Sequence, residues 1–462
     1  MRKYLNKLTS DLSLDRYRIL DELQSIQFYT PDKIKKLQKE KLSTLLLHSF
    51  EIPYYRKYLE DMGITYSILK RDNPYEILAR LPILTKDLLR VNYDVLSAND
   101  HKKRGSSINY TGGSTGVPAK FLQDRQYKEY SQAYKNLSYS WRGADCFDDI
   151  FYIWGAARDM NEGFIGRVKN FIRNRYYFNC FLLNEKNIRF CIEKLNVKKP
   201  TLIVAYADAI YEIARYANEN NLFVEPQQAI HTGAGNLYDF MKEEIVKCFK
   251  CNVYNHYGAR DVGSIASECI AQDGLHLMEL HQFVEILDEE NNPVLDGEEG
   301  RIIITTLDNY SMPLIRYEVG DRGIKLPYNK CSCGRSFSKL KSVTGRSEDR
   351  VITPDGQYVD SNFFVHFIGV ECNQTGDVQK FQIVQNKINE IEINIVAKNG
   401  VLNNMVKNKI KTKLLNRLGS SISISIKDVQ DIPKTSTGKY RYVINHLYSQ
   451  NKKDFSVISS DK

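Results

Sequence analysis

The chain contains no run of about 18 apolar residues, so no membrane span is expected. Its first residues, Met1-Arg2-Lys3-Tyr4-Leu5-Asn6-Lys7, lack the apolar segment of a secretory signal. The expectation is a soluble, cytoplasmic protein. Internal repeats are missing, and so is the G-x-x-x-x-G-K-[ST] spacing of a P-loop. Acidic residues are fewer than basic ones, 56 against 65, and the formal net charge is +9. The basic residues are scattered, however. The densest clusters, Lys102-Lys103-Arg104 and Lys452-Lys453, read as solvated surface, so no nucleic-acid partner is expected. A mild positive field suits small anionic substrates. Nine cysteines in a long chain without a signal argue against a disulfide framework. Cys248 and Cys251 form a C-x-x-C with no second pair nearby, which reads as coincidence.

What is present is an ordinary globular composition, 42% hydrophobic and 26% charged, in a chain of 462 residues. That length exceeds one compact core and implies two or three domains. Residues 1–100 read as mostly helical; Ile34, Leu37, Leu42, Leu45, Leu46 and Leu47 give residues 33–49 a helical period. Thr85 leads a short helix. From 105 to 345, strand-like and helix-like segments alternate. Residues 150–154, 201–205 and 301–306 read as strands, and residues 209–217 and 237–249 as helices. Such alternation implies an α/β fold, a large domain of layered β-sheets with flanking helices over residues 1–345. Residues 346–448 read as a small α+β domain. In it, residues 381–396 are strand-forming and 401–418 are a basic amphipathic helix. Residues 449–462 read as a polar, disordered tail.

Six clusters punctuate this pattern. Tyr110-Thr111-Gly112-Gly113-Ser114-Thr115-Gly116 is nearly all Gly, Ser and Thr, so its backbone N–H groups and hydroxyls can approach a polyphosphate closely. Thr232-Gly233-Ala234-Gly235 follows a short apolar strand. Tyr254-Asn255-His256-Tyr257-Gly258-Ala259-Arg260-Asp261, Arg316-Tyr317-Glu318-Val319-Gly320-Asp321, Val343-Thr344-Gly345-Arg346-Ser347-Glu348-Asp349 and Pro433-Lys434-Thr435-Ser436-Thr437-Gly438-Lys439 complete the set. Each alone is compatible with a turn. Together, in this order, they resemble the adenylate-forming superfamily of acyl-CoA ligases, luciferases and peptide-synthetase adenylation domains. Within it the chain is most similar to the branch of phenylacetate–CoA ligases and CapK-type capsular polysaccharide proteins, on Tyr257 to Cys269, Pro53-Tyr54-Tyr55 and Leu81-Pro82-Ile83-Leu84-Thr85-Lys86.

The resemblance implies an enzyme that uses ATP and Mg²⁺ to activate a carboxylic acid as its acyl-adenylate, releasing pyrophosphate. The acyl group then passes to CoA or to an amine or hydroxyl on a sugar or carrier, with a place in surface polysaccharide assembly. By resemblance, Thr111, Gly112, Gly113, Ser114, Thr115 and Gly116 hold the β- and γ-phosphates, and Ala234 and Gly235 lie against adenine. Asn255, His256, Tyr257 and Gly258 line the adenine and acyl side, with His256 counted among the catalytic groups. Asp261 takes the Mg²⁺ position, which suits a hard oxygen ligand. Asp321 accepts from the ribose hydroxyls. Arg346 reaches the ribose or phosphates. Glu348 is the hinge about which a mobile small domain turns. Lys439 bridges the acyl oxygen and the α-phosphate. Residues 154–159 and 206–208 are candidate walls of the acyl pocket.

Cys269, His276, Cys331 and Cys333 offer three thiols and one imidazole, a donor set for tetrahedral Zn²⁺. The C-x-C spacing is tighter than usual, and the alternative is three unrelated cysteines and a surface histidine. The branch carries similar motifs around a structural zinc. His281, close by, reads as a surface residue. Several positions depart from the family pattern. Ala119 stands where many members have Lys, with Lys120 as a partial replacement. Arg260 replaces Thr or Ser, Asp261 replaces Glu, and Glu348 replaces Asp. These departures keep two other readings open: a decayed ligase fold acting as a scaffold in glycan assembly, and a nucleotide-binding regulator.

Overall fold

The computed structural model describes residues 14–111, 119–155, 164–181, 183–346, 349–373, 377–419, 421–435 and 440–447. The chain divides into two compact units. One comprises residues up to Val319 with Gly323–Val343, the other Gly320–Arg322 with residues from Thr344 onward. The architecture is mixed α/β.

The first unit begins with helices. Leu42, Leu45, Leu46, Ile52, Tyr55 and Leu59 bury one apolar face against Ile302, Ile304, Leu314 and Tyr317 of the sheet. The 33–49 period is one long helix, Pro31–Ser49, opened by a proline whose missing N–H is no loss there. Thr85 caps the short helix Lys86–Val91 by accepting from the Leu88 N–H at 3.2 Å.

An eleven-stranded sheet follows. Five strands at one end are parallel, in the spatial order Arg175–Asn179, Ile150–Trp154, Leu202–Tyr206, Ala229–Gly233, Asn252–Ala259. Their connections run through the helices Phe164–Ile172, Glu185–Lys198, Ala207–Glu219 and Asp239–Phe249. Strand Leu202–Tyr206 is buried at every position, as expected of a parallel strand covered on both faces. The chain reverses its direction of winding between Ile150–Trp154 and Leu202–Tyr206. In open α/β sheets ligands bind at the carboxyl ends of the strands at such a switch point. The remaining strands, among them Gly263–Glu268, Leu275–Leu277 and Gln282–Leu287, are largely antiparallel. Helix Arg125–Ser140 is capped by the buried Asp124, which accepts from Tyr127 N–H at 2.8 Å. The same carboxylate accepts from Tyr310 N–H at 2.8 Å and Ser311 N–H at 3.0 Å, so one side chain fixes the helix to the sheet.

The second unit holds a four-stranded sheet, in the order Ser423–Asp428, Glu390–Ala397, Val378–Lys387, Val443–Asn445. Strand-forming residues 381–396 are two strands of a hairpin, broken at Ile388-Asn389. The alternation is real in the second strand, where Ile391, Ile393 and Ile395 are buried. Helix Asn404–Leu418 buries Ile410, Leu414 and Leu418, leaves Lys409, Lys411 and Lys413 exposed, and pairs the half-buried Lys407 with Asp428.

Candidate functional site

At the switch point the rings of Trp154 and Tyr206 meet edge to face, 4.3 Å between centroids. These are two of the residues expected to wall an acyl pocket; residues 156–160 lie outside the described residues. One strand further, Gly233 pairs with Tyr206, and a Cβ on Gly233 would lie 3.9 Å from the His256 ring. The residues expected on the adenine side follow directly: Ala234 has φ +62°, and a Cβ on Gly235 would lie 3.4 Å from an Asp208 carboxylate oxygen.

His256 sits in a buried polar chain. Its Nδ1 is 3.2 Å from Ser267 Oγ, and its ring lies 4.7 Å from that of His231. Ser267 Oγ in turn accepts from the buried Arg142 guanidinium at 2.7 Å. That guanidinium also donates to Glu268 O at 3.0 Å and lies over the Tyr254 ring at 5.1 Å. Burial, with Arg142 and Lys135 nearby, pushes the His256 pKa down to about 3. It is therefore a neutral imidazole at working pH, able to donate or accept but not to carry charge. Arg142 has no place in the motif reading; a lone Arg after a helix gives no local signal. The half-buried Glu268 carboxylate accepts from Asn255 N–H at 2.7 Å and so fixes the next motif residue.

The strand is irregular between Tyr257 and Gly258. A Cβ on Gly258 would come within 2.8 Å of Gly263 O and 3.3 Å of His256 Nε2, so only glycine fits the close approach. The strand then turns and presents Asp261, which is 5% exposed. Tyr317, fully buried, donates its hydroxyl to Asp261 Oδ2 at 2.6 Å. Gln123 donates to Arg260 O at 3.1 Å and to Asp261 O at 3.4 Å. Two motifs distant in sequence thus meet at one carboxylate. A carboxylate oxygen held in this way is the hard donor that Mg²⁺ takes. The Arg316 beside Tyr317 is structural: it is 4% exposed, pairs with Glu285 at 3.1 Å and donates to Ala79 O and Leu81 O at 2.8 Å each.

Thr111 closes the neck of the Gly-rich loop. Its N–H donates to Ala119 O, and its hydroxyl accepts from Ala119 N–H, each at 2.9 Å. Ala119 is fully buried, and the ammonium of Lys120 lies 4.2 Å from the Tyr93 ring. Gly112, Gly113, Ser114, Thr115 and Gly116 lie outside the described residues, as do Glu348 and Lys439.

In the second unit Arg346 and Asp321 are 3.8 Å apart. Arg441, two residues beyond Lys439, pairs with Asp349, the residue after Glu348. Asn445 donates to Arg350 O at 2.6 Å. The chain after Lys439 is therefore fastened to the chain after Glu348, a link that motif spacing does not show.

The proposed metal ligands converge. The Sγ atoms of Cys269, Cys331 and Cys333 and a ring nitrogen of His276 all lie within 4.8 Å of one another. Cys269 Sγ is 3.6 Å from Cys331 Sγ, and Cys333 Sγ is 3.4 Å from His276 Nε2. His276 Nδ1 is 2.8 Å from Phe337 O, which fixes the proton on Nδ1 and aims the Nε2 lone pair at the thiols. Burial pushes His276 down to about 4, keeping it neutral. Burial pushes Cys269 up to about 12, whereas hydrogen bonds from Arg335 and the other thiols draw Cys333 down against its own burial. Three thiols and a neutral imidazole make a closed donor set for Zn²⁺. His276 is fully buried among the three thiols, not a surface residue. Cys248 is buried and Cys251 half-buried, and burial pushes both thiols up to about 12, an inert environment.

His281 corrects an expectation. It is fully buried, not a surface residue, because it is sandwiched between Tyr127 and Tyr134 and bonded to Asp308.

A parallel sheet with a switch-point site, an antiparallel extension and a separate α+β unit define the fold class of adenylate-forming CoA ligases. A solved 2-hydroxyisobutyryl-CoA ligase in the postadenylation state, with R3-HIB-AMP, superposes with a TM-score of 0.71 at 17% identity, covering 94% of each chain. The anthranilate CoA ligase AuaEII, with anthranoyl-AMP, gives 0.54 at 14% identity over 76% of this chain and 67% of that one. Residues 351–446 match the CapK C-terminal domain. Protein CapK of Staphylococcus aureus is 27% identical over 443 residues, 90% of this chain and 92% of its own. The phenylacetate-coenzyme A ligase of Thermus thermophilus is 22% identical over 348 residues, 70% of this chain and 72% of its own. The chain is homologous to CapK and to the phenylacetate–CoA ligases, and these relationships support a ligase enzyme. No helix among the described residues is long and apolar enough to cross a membrane.

Proposed function

We propose that the protein activates a carboxylic acid with ATP. A carboxylate oxygen attacks the α-phosphorus, the bond from that phosphorus to the β-phosphate bridging oxygen breaks, and pyrophosphate leaves. Negative charge accumulates between two anions, so positive charge and donors must be fixed in advance. The observation that carries the reading is the buried Asp261 carboxylate, which accepts from the Tyr317 hydroxyl just past the strand that bears His256, while Gln123 fixes the backbone carbonyls of residues 260 and 261.

In this reading Asp261 is the protein ligand to Mg²⁺, whose chemistry is to neutralise phosphate charge. His256, neutral, donates or accepts a hydrogen bond on the acyl side. Asp321 and Arg346 serve the ribose, Lys439 the acyl oxygen and α-phosphate, and residues 111–116 the terminal phosphates. Glu348 is the hinge of a lid that starts near residue 346. Cys269, His276, Cys331 and Cys333 hold a structural Zn²⁺ with no open position. The homologous CoA ligases favour CoA as acceptor; a sugar or carrier acceptor in surface polysaccharide assembly follows only from the CapK-type resemblance.

ATP–pyrophosphate exchange across aryl, fatty, amino and sugar acids tests this reading. Exchange with one acid, abolished in Lys439→Ala, is the expected result. Nucleotide binding without exchange for any acid would favour the scaffold or regulator reading, towards which the buried Ala119 at the usual Lys position leans.

A further inference from the structure

The turn from Arg260 to Gly263 is gripped by a buried polar network that the reaction does not touch. His281 and Asp308 are both fully buried, with His281 Nδ1 2.9 Å from Asp308 Oδ2. Lys41, from helix Pro31–Ser49, pairs with Asp308 Oδ1 and donates to Leu280 O at 2.8 Å. A carboxylate accepts only, so Nδ1 of His281 carries the proton and donates. The ring lies between Tyr127 and Tyr134, 5.3 Å from each centroid. Its Nε2 has no hydrogen-bond partner among the described residues. Nε2 faces Gly263: a Cβ there would lie 3.3 Å from His281 Nε2, 2.8 Å from Tyr127 Oη and 3.0 Å from Ser131 Oγ. Gly263 has φ +77°, a backbone state that a side chain resists. The neighbouring Gln282 amide donates to Val262 O.

We infer that His281 is a positioning residue: fixed by Asp308 and Lys41, its ring is the wall against which Gly263 seats, and it thereby sets where Asp261 directs its carboxylate. The inference rests on the reading of Asp261 as the Mg²⁺ ligand. It assigns a purpose to the buried His281 and Asp308 and to the half-buried Lys41, drawn from distant parts of the chain. It also accounts for the glycine at 263, because any side chain would push the turn off this wall. The effect on the metal is indirect, through the backbone of residues 261–263.

The test compares His281→Phe, which keeps a ring but loses the bond to Asp308, with His281→Asn, whose amide reproduces the donor at the Nδ1 position. Mn²⁺ binding in the presence of ATP is followed by electron paramagnetic resonance, with Asp261→Ala as reference. His281→Phe is expected to bind Mn²⁺ about tenfold more weakly, the usual scale for a lost supporting bond. His281→Asn is expected to restore most of it. The Mg²⁺ concentration for half-maximal exchange should rise in parallel. A role in stability alone would lower the melting temperature and leave Mn²⁺ affinity within twofold of wild type, which would overturn the inference. So would Mn²⁺–ATP binding that ignores Asp261→Ala. If His281→Phe does not fold, Asp308→Ala removes the same acceptor from outside the ring and is read in the same way. Wild-type protein that binds Mn²⁺–ATP through Asp261 but exchanges with no acid would defeat the adenylation reading and leave this one standing.

Discussion

Removing metal from the Cys269, His276, Cys331, Cys333 cluster should cost a large share of the stability of the first unit. The cluster links Cys269 to Cys331, 62 residues apart. Treated as a cross-link closing a loop of that length, it restricts the unfolded chain by about 4 kcal/mol. Net stabilities of whole domains are about 5–15 kcal/mol, so this one link is a substantial fraction. Charge repulsion adds little in the metal-free protein, because the Cys269 thiol, pushed up to about 12, stays neutral. The loss is therefore one of tethering, and the apo protein should remain folded but weakened. Metal content by plasma mass spectrometry should give one Zn²⁺ per chain. Chelation should then lower the urea midpoint by the equivalent of about 4 kcal/mol, and re-addition of Zn²⁺ should restore it. Cys331→Ser should resemble the chelated protein even with Zn²⁺ present. Folded protein purified without zinc, with a midpoint indifferent to chelator, would refute the argument.

Three further outcomes follow from the site geometry. Tyr317→Phe removes a 2.6 Å hydrogen bond to a buried carboxylate; the urea midpoint should fall by about 2 kcal/mol and exchange by about tenfold, and wild-type behaviour in both would show Tyr317 to be mere packing. Gly258→Ala drives a Cβ to within 2.8 Å of Gly263 O, so about 1–3 kcal/mol of stability should be lost together with exchange, while zinc content stays at the wild-type level. His256 binds no proton in the folded state until about pH 3, whereas the unfolded chain binds one below 6.5, so stability must fall as pH drops through that window. From pH 7 to 5 this amounts to about 2 kcal/mol. Wild type should therefore lose that much more than His256→Asn, and equal losses would refute the assignment.

The sequence made the order of elements legible because each was announced locally. A contiguous apolar run gave strand Ile150–Trp154, Thr85 gave a cap, and the Gly-rich clusters gave the strand-end turns. Cys269, His276, Cys331 and Cys333 were legible as a candidate donor set by residue type although their spacing was ambiguous, and the fold brings the four together. What stayed hidden was every polar side chain whose meaning lies in a distant partner. His281, flanked by Glu279 and Gln282, looks solvated; its Nδ1 is instead partnered inside the fold by Asp308, 27 residues away, which in turn pairs with Lys41, 267 residues from it. Arg142 is hidden for the same reason, its partners Ser267 and Glu268 lying over 120 residues on. Burying such groups costs free energy unless they are paired, so the pairing must be fixed by the fold and is absent from any short window of sequence. A motif therefore names a candidate group, and the buried network that holds it still has to be read from the structure. Asp261 illustrates both: its place in Tyr257–Asp261 was readable, whereas the Tyr317 hydroxyl on its carboxylate and the Gln123 amide on its backbone carbonyl were not.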